Sequence, residues 1–131
     1  MFNFFTTVSE QEAYTLSPVV LAFVGDAVYS LYVREKLVIN SDYSTGMLQK
    51  LTSGEVSAHG QNILLEKIQP LFTEKEISIF KRGRNAKKPS RSKNATIVEY
   101  NNSTGFEAVL GYLYLTGQYE RISQLLNESA E

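Results

Sequence analysis

Ser17-Pro18-Val19-Val20-Leu21-Ala22-Phe23-Val24-Gly25-Asp26-Ala27-Val28 opens a long helix that the sequence carries to Val38. Ser17 supplies a hydroxyl N-cap, and Pro18 takes the first helical position, where a missing N–H costs nothing. The apolar run that follows is too dense for a surface helix and predicts burial on most sides. Inside it sits Asp26, one of only two aspartates in the chain. A carboxylate in an apolar helix is expensive unless it is paired or holds a metal. The neighbouring Gly25 is also unfavourable, by roughly 1 kcal/mol relative to alanine in a helix interior. Two costly residues side by side mark a candidate site.

Outward from this helix the chain reads as helical throughout. Residues 1–16 form an irregular or weakly helical lead-in. Ile39-Asn40-Ser41-Asp42-Tyr43-Ser44 carries turn and cap chemistry. It predicts a short helix over 45–51, punctuation at Thr52-Ser53-Gly54-Glu55, and a helix over 55–68. Val56, Ile63, Leu64 and Leu65 recur there at helical spacing, and Pro70 stops the run. Thr73 and Glu76 form a capping-box pattern that opens a helix through Phe80. The pattern resumes near Ala95, leads through Ile97, Val98 and Tyr100 into Thr104–Thr116, and closes on Gly117 as a C-cap. A final amphipathic helix over 119–127 sets Ile122, Leu125 and Leu126 on one face. There is no internal repeat and no run of alternating strands, so the fold class is all-α.

A length of 131 residues predicts a single domain, 1–131, long enough for a real core. With no cysteine, neither a disulfide nor a thiolate metal site holds the fold, which fits a reducing compartment. The N-terminus lacks the basic and apolar regions of a signal peptide, and no window approaches a charge-free membrane span. The expectation is a cytoplasmic protein with no membrane partner. A net charge of −1 hides an asymmetry: seven of the thirteen basic residues, and no acid, lie between Lys81 and Lys93. Glycine, proline and serine within 81–94 predict an extended basic loop, the footprint of a local polyanion contact.

Glu107 resembles Asp26 in its setting: a lone acid in an apolar helix, with Gly111 one turn on. Glycines on packed faces let helix backbones approach closely, and that would bring the two acids to a common point. Converging carboxylates repel unless one is protonated or a cation lies between them. With oxygen-only ligands the natural cation is Mg²⁺, with Mn²⁺ as a substitute. Plainer readings stand beside this one. Asp26 can cap or bond a neighbouring helix, Glu107 can be a satisfied core group, and a basic loop is more often simply solvated. His59, in the acid-free segment Val56-Ser57-Ala58-His59-Gly60-Gln61, reads as a surface or packing residue, and the aromatic residues read as core. The acid pair and the basic strip occurring together favour a metal-dependent nuclease.

Leu21-Ala22-Phe23-Val24-Gly25-Asp26-Ala27-Val28 resembles the signature helix of the ribonuclease III family. Phe106-Glu107-Ala108-Val109-Leu110-Gly111-Tyr112-Leu113-Tyr114-Leu115 resembles that family's second acidic motif. With Lys81-Arg82-Gly83-Arg84-Asn85-Ala86-Lys87, the whole chain is similar to the short branch made of a catalytic domain alone. The resemblance implies that Asp26 is the catalytic aspartate and Glu107 the metal-binding glutamate, and that Phe23 is an aromatic plugged into the partner subunit of a homodimer. It departs at Val19, Ala22 and Thr104, where longer members carry further acids, although Ala22 and Thr104 are what the short branch looks like.

The function so implied is Mg²⁺-dependent endonucleolytic hydrolysis of double-stranded RNA, with 5′-phosphate and 3′-hydroxyl products. Arg82, Arg84, Asn85, Lys87, Lys88, Arg91 and Lys93 would contact RNA. Since no double-stranded-RNA-binding domain is expected beyond Glu131, the dimer itself would read the duplex by shape. The resemblance further implies a large-subunit ribosomal RNA precursor as substrate and leaves open a ribosomal protein as a further partner. The alternatives are a catalytically inactive, ribosome-associated RNA-binding dimer and a helical protein–protein adaptor.

Overall fold

Two helices, α2 (Pro18–Ile39) and α6 (Ile97–Leu115), cross with the most extensive contact among the described elements. The computed structural model describes residues 4–88 and 95–128. The other helices are α1 (Glu10–Thr15), α3 (Thr45–Val56), α4 (Ala58–Ile68), α5 (Glu74–Asn85) and α7 (Tyr119–Glu128), with a single 3₁₀ turn over Gln69–Leu71. No strand occurs among the described residues, and none of their helices is long and apolar enough to cross a membrane.

Helix starts follow local chemistry closely. Ser17 accepts from the Val19 N–H with Pro18 in the first turn. Thr73 and Glu76 close a full capping box, and Thr96 with Glu99 closes a second at the start of α6. Gly117, at φ +77°, ends α6 in the left-handed region that favours glycine. The core gathers around α6, whose Phe106, Ala108, Val109, Leu110, Tyr112 and Leu113 are all buried. Leu21, Tyr29 and Val33 from α2, Ile79 and Phe80 from α5, and Leu125 and Leu126 from α7 join them. Tyr29 meets Phe106 edge-on, with centroids 5.2 Å apart.

Several boundaries differ from the sequence reading. The break expected at 52–55 falls at Ser57: α3 runs on to Val56, and the Ser57 hydroxyl both donates to the Gly54 carbonyl and caps α4 through the Gly60 N–H. Thr52, within the expected punctuation, is buried, and that packing holds the turn helical. Likewise α5 continues past Phe80 to Asn85, so the first part of the expected 81–94 loop is helical. Its cationic residues suit a helix C-terminus, and Gly83 packs on α6: a Cβ there would lie 2.8 Å from Gly105 Cα. Nor is α2 buried on most sides. Leu21, Ala22, Gly25, Tyr29 and Val33 face inward, while Val20, Phe23, Leu31 and Val38 are exposed along the opposite face.

Candidate active site

The α2–α6 crossing is a backbone-on-backbone contact. A Cβ on Gly25 would stand 1.7 Å from the Glu107 carbonyl oxygen, and one on Gly111 would stand 1.9 Å from that of Leu21. Only glycine permits such an approach at both positions. Asp26 and Glu107, each beside this contact, thereby come within hydrogen-bonding reach of one another. Asp26 lies at the exposed lip rather than within a buried helix face, and Glu107 lies deeper.

Burial raises the Glu107 carboxyl to about 8, and the hydrogen bond and negative charge of Asp26 push in the same direction. The Gln61 amide opposes them by donating Nε2 to Glu107 Oε2 at 3.1 Å. Without a cation the pair can share a proton; with a divalent cation both groups can ionise. The donor set is oxygen only, as hard cations prefer. Among the described residues no group of three or more acidic, histidine or cysteine side chains gathers to hold a metal. Thr104 is buried and donates its hydroxyl to the Tyr100 carbonyl.

The basic residues divide. Gly83 packs against Thr104, Gly105 and Ala108, so the cationic end of α5 reaches α6 within one helical turn of Glu107. Arg82, however, turns inward, donating to the Tyr14 and Leu16 carbonyls at 2.9 and 3.2 Å and lying over the Tyr14 ring. Arg84 donates to Asn85 Oδ1 and lies near the Phe80 ring. Lys88 donates to the Arg84 carbonyl, and burial lowers its pKa. Lys81, Asn85 and Lys87 are exposed. Arg91 and Lys93, with residues 89–94 of the expected loop, lie outside the described residues.

Sequence reasoning missed two contacts. His59 has an acid after all, Glu99 of α6, at 2.6 Å from Nδ1 to Oε2. Gln61 is buried beside Glu107. Its signal was available: Gln61, Leu65 and Ile68 share one helical face, so a polar residue stands where the period calls for an apolar one.

An all-helical domain in which a close helix crossing joins two acids beside a cationic helix end has the parts of a nuclease. The ribonuclease III domain matches residues 19–118. The chain is 44% identical over 117 residues to Mini-ribonuclease 3 of Thermoanaerobacter sp. (strain X514), covering 89% of this chain and 82% of that protein. With Mini-ribonuclease 3 of Brevibacillus brevis identity is 43% over 113 residues, covering 86% and 84%. The crystal structure of protein FN1578 from Fusobacterium nucleatum superposes with a TM-score of 0.80 at 29% identity, covering 92% of this chain and 94% of that one. The chain therefore belongs to the ribonuclease III family, in its Mini-ribonuclease 3 branch.

Proposed function

We propose that the protein is a homodimeric, Mg²⁺-dependent endoribonuclease that cuts both strands of double-stranded RNA, and that its substrate is a precursor of large-subunit ribosomal RNA in the cytoplasm. The meeting of Asp26 and Glu107 at the α2–α6 crossing carries this reading. Membership in the family implies a divalent metal cofactor, and the residues present fit one: two oxygen donors, one of them held protonated by burial and a neighbouring acid, are short of positive charge. Asp26 and Glu107 would hold the ion. When bound, such an ion lowers the pKa of water and stabilises charge building at phosphorus.

The chain's own groups do the rest. Glu107, anchored by Gln61, keeps its carboxylate at the crossing, while Asp26 at the lip faces incoming substrate. Lys81 and Lys87 are exposed and give up no contact among the described residues on meeting phosphates, so affinity falls steeply with salt. The exposed Val20, Phe23, Leu31 and Val38 face of α2 suits a second copy of the chain, with Phe23, 81% exposed, as its most prominent apolar group. A dimer of this kind offers one site to each strand of an A-form duplex, recognised mostly by shape.

Cleavage of end-labelled double-stranded RNA in Mg²⁺, beside a gel shift in EDTA, tests the reading. The wild type should cut, and Asp26→Asn and Glu107→Gln should bind without cutting. In sedimentation, Phe23→Asp should turn a dimer into a monomer. Wild-type binding without cleavage would leave an inactive RNA-binding protein, and undiminished cutting by Asp26→Asn would remove the site from the reaction.

A further inference from the structure

Helix α4 presents a row of polar side chains to α6. His59 meets Glu99, while Asn62 donates to the Glu99 carbonyl at 2.9 Å and accepts from Asn102 at 3.0 Å. Between them Gln61 is only 2% exposed, on the same face as Leu65 and Ile68. A leucine or methionine would fill that place without burying a carboxamide, which costs free energy unless its hydrogen bonds are made. Gln61 uses both amide protons: Nε2 donates to the Val56 carbonyl at 3.0 Å and to Glu107 Oε2 at 3.1 Å. The Val56 carbonyl can only accept, so the amide faces it with its nitrogen. Gln61 Oε1 is then buried with no donor among the described residues, and because it shares a carbon with Nε2 it stands beside the same carboxylate.

We propose that Gln61 is a positioning residue for the divalent ion. Its amide ties one oxygen of Glu107 to the end of α3 and leaves the other as the ligand, and its spare carbonyl is an acceptor for the ion's hydration shell. The proposal rests on the metal-dependent reading above. Partners of this kind, which touch the ligand rather than the metal, typically change metal affinity by about tenfold to a hundredfold.

Gln61→Met keeps side-chain length and removes both donors. Mn²⁺ binding, followed by electron paramagnetic resonance without RNA, should weaken by about tenfold or more. The Mg²⁺ concentration for half-maximal cleavage should rise in parallel, while RNA affinity in EDTA stays unchanged. A purely structural glutamine would lower the unfolding midpoint and leave the Mn²⁺ affinity of the folded protein alone; that result overturns the proposal. Should Gln61→Met not fold, the side-chain amide resonance of Gln61 in ¹⁵N-labelled wild type decides. It should shift on saturation with Mg²⁺, and an unmoved resonance refutes the role. Glu107→Gln separates the two levels: its keeping wild-type Mn²⁺ affinity sinks the metal reading and this proposal together. Its losing that affinity while Gln61→Met keeps it sinks the Gln61 role alone.

Discussion

Replacing Gly25 by alanine adds one methyl group at the point where α2 and α6 touch. Its Cβ would meet the Glu107 carbonyl oxygen at 1.7 Å, the Glu107 carbonyl carbon at 2.6 Å and the Gly111 nitrogen at 2.9 Å. All three are backbone atoms of a buried helix, so no side chain can swing aside and the helices must separate. Overpacking of a well-packed core costs typically 1–3 kcal/mol, and a backbone obstacle belongs at or above the top of that range. Alanine returns about 1 kcal/mol of helix propensity. The net loss is roughly 2 kcal/mol or more, or about 6–10 °C in Tm for a domain of this length. Gly54 is an internal control: it lies within α3 with nothing near its would-be Cβ, so Gly54→Ala should stabilise by about 0.5–1 kcal/mol. Thermal unfolding followed by circular dichroism, at one fixed protein concentration because association shifts apparent stability, gives both numbers. Cleavage should fall further than stability in Gly25→Ala, because the shift that admits the methyl group also parts Asp26 from Glu107. A Gly25→Ala protein as stable and active as Gly54→Ala would refute the close crossing as the source of the site.

The remaining predictions concern charge. Arg82→Ala should cost about 2 kcal/mol, since charge-assisted hydrogen bonds to two carbonyls are lost, whereas Lys87→Ala should leave urea unfolding unchanged and weaken RNA binding in a gel shift. The reverse pattern would show Arg82 free to act on RNA. In metal-free protein Glu107 titrates near 8, above its usual 4.5, so the native state holds a proton that the unfolded chain releases. Native stability should therefore fall as pH rises from about 4.5 to 8 and level off beyond. Glu107→Gln should flatten that slope in denaturant titrations in EDTA, and an unchanged slope would place the proton elsewhere.

Most of the fold was legible because its signals are local. Ser17-Pro18, the Thr73–Glu76 box and Gly117 each act within one turn of their own helix, and each does what its chemistry dictates. The misplaced boundaries were decided by distant partners. Gly54 reads as punctuation but tolerates helix, while Ser57 breaks the chain through its contacts with Gly54 and Gly60. Gly83 stays helical because it packs on Gly105. The convergence of Asp26 and Glu107 was legible for a different reason: Gly25 and Gly111 have no use in a helix except close approach. Gln61 and the His59–Glu99 contact were harder to see, because a polar side chain in an amphipathic helix announces nothing about which helix it will face.

Helix α2 also explains why apolar density misled. Its inward face, Leu21, Gly25, Tyr29 and Val33, repeats at four residues and serves the chain's own core. Val20, Phe23, Leu31 and Val38 lie exposed on the opposite face, so one helix carries two apolar surfaces with a carboxylate at the seam. A monomer would gain solubility by making the second surface polar, and nothing in the packing of α2 against α6 requires Phe23 to be aromatic. Under the proposed dimer both surfaces are used, and Asp26 stands where the protomer's core, the second copy and the solvent meet. Substitutions on the outer face should then change cleavage through assembly, in proportion to the dimer lost, while those at Gly25 and Gly111 should change it at any protein concentration. That difference in concentration dependence separates the two surfaces of one helix without further structural work.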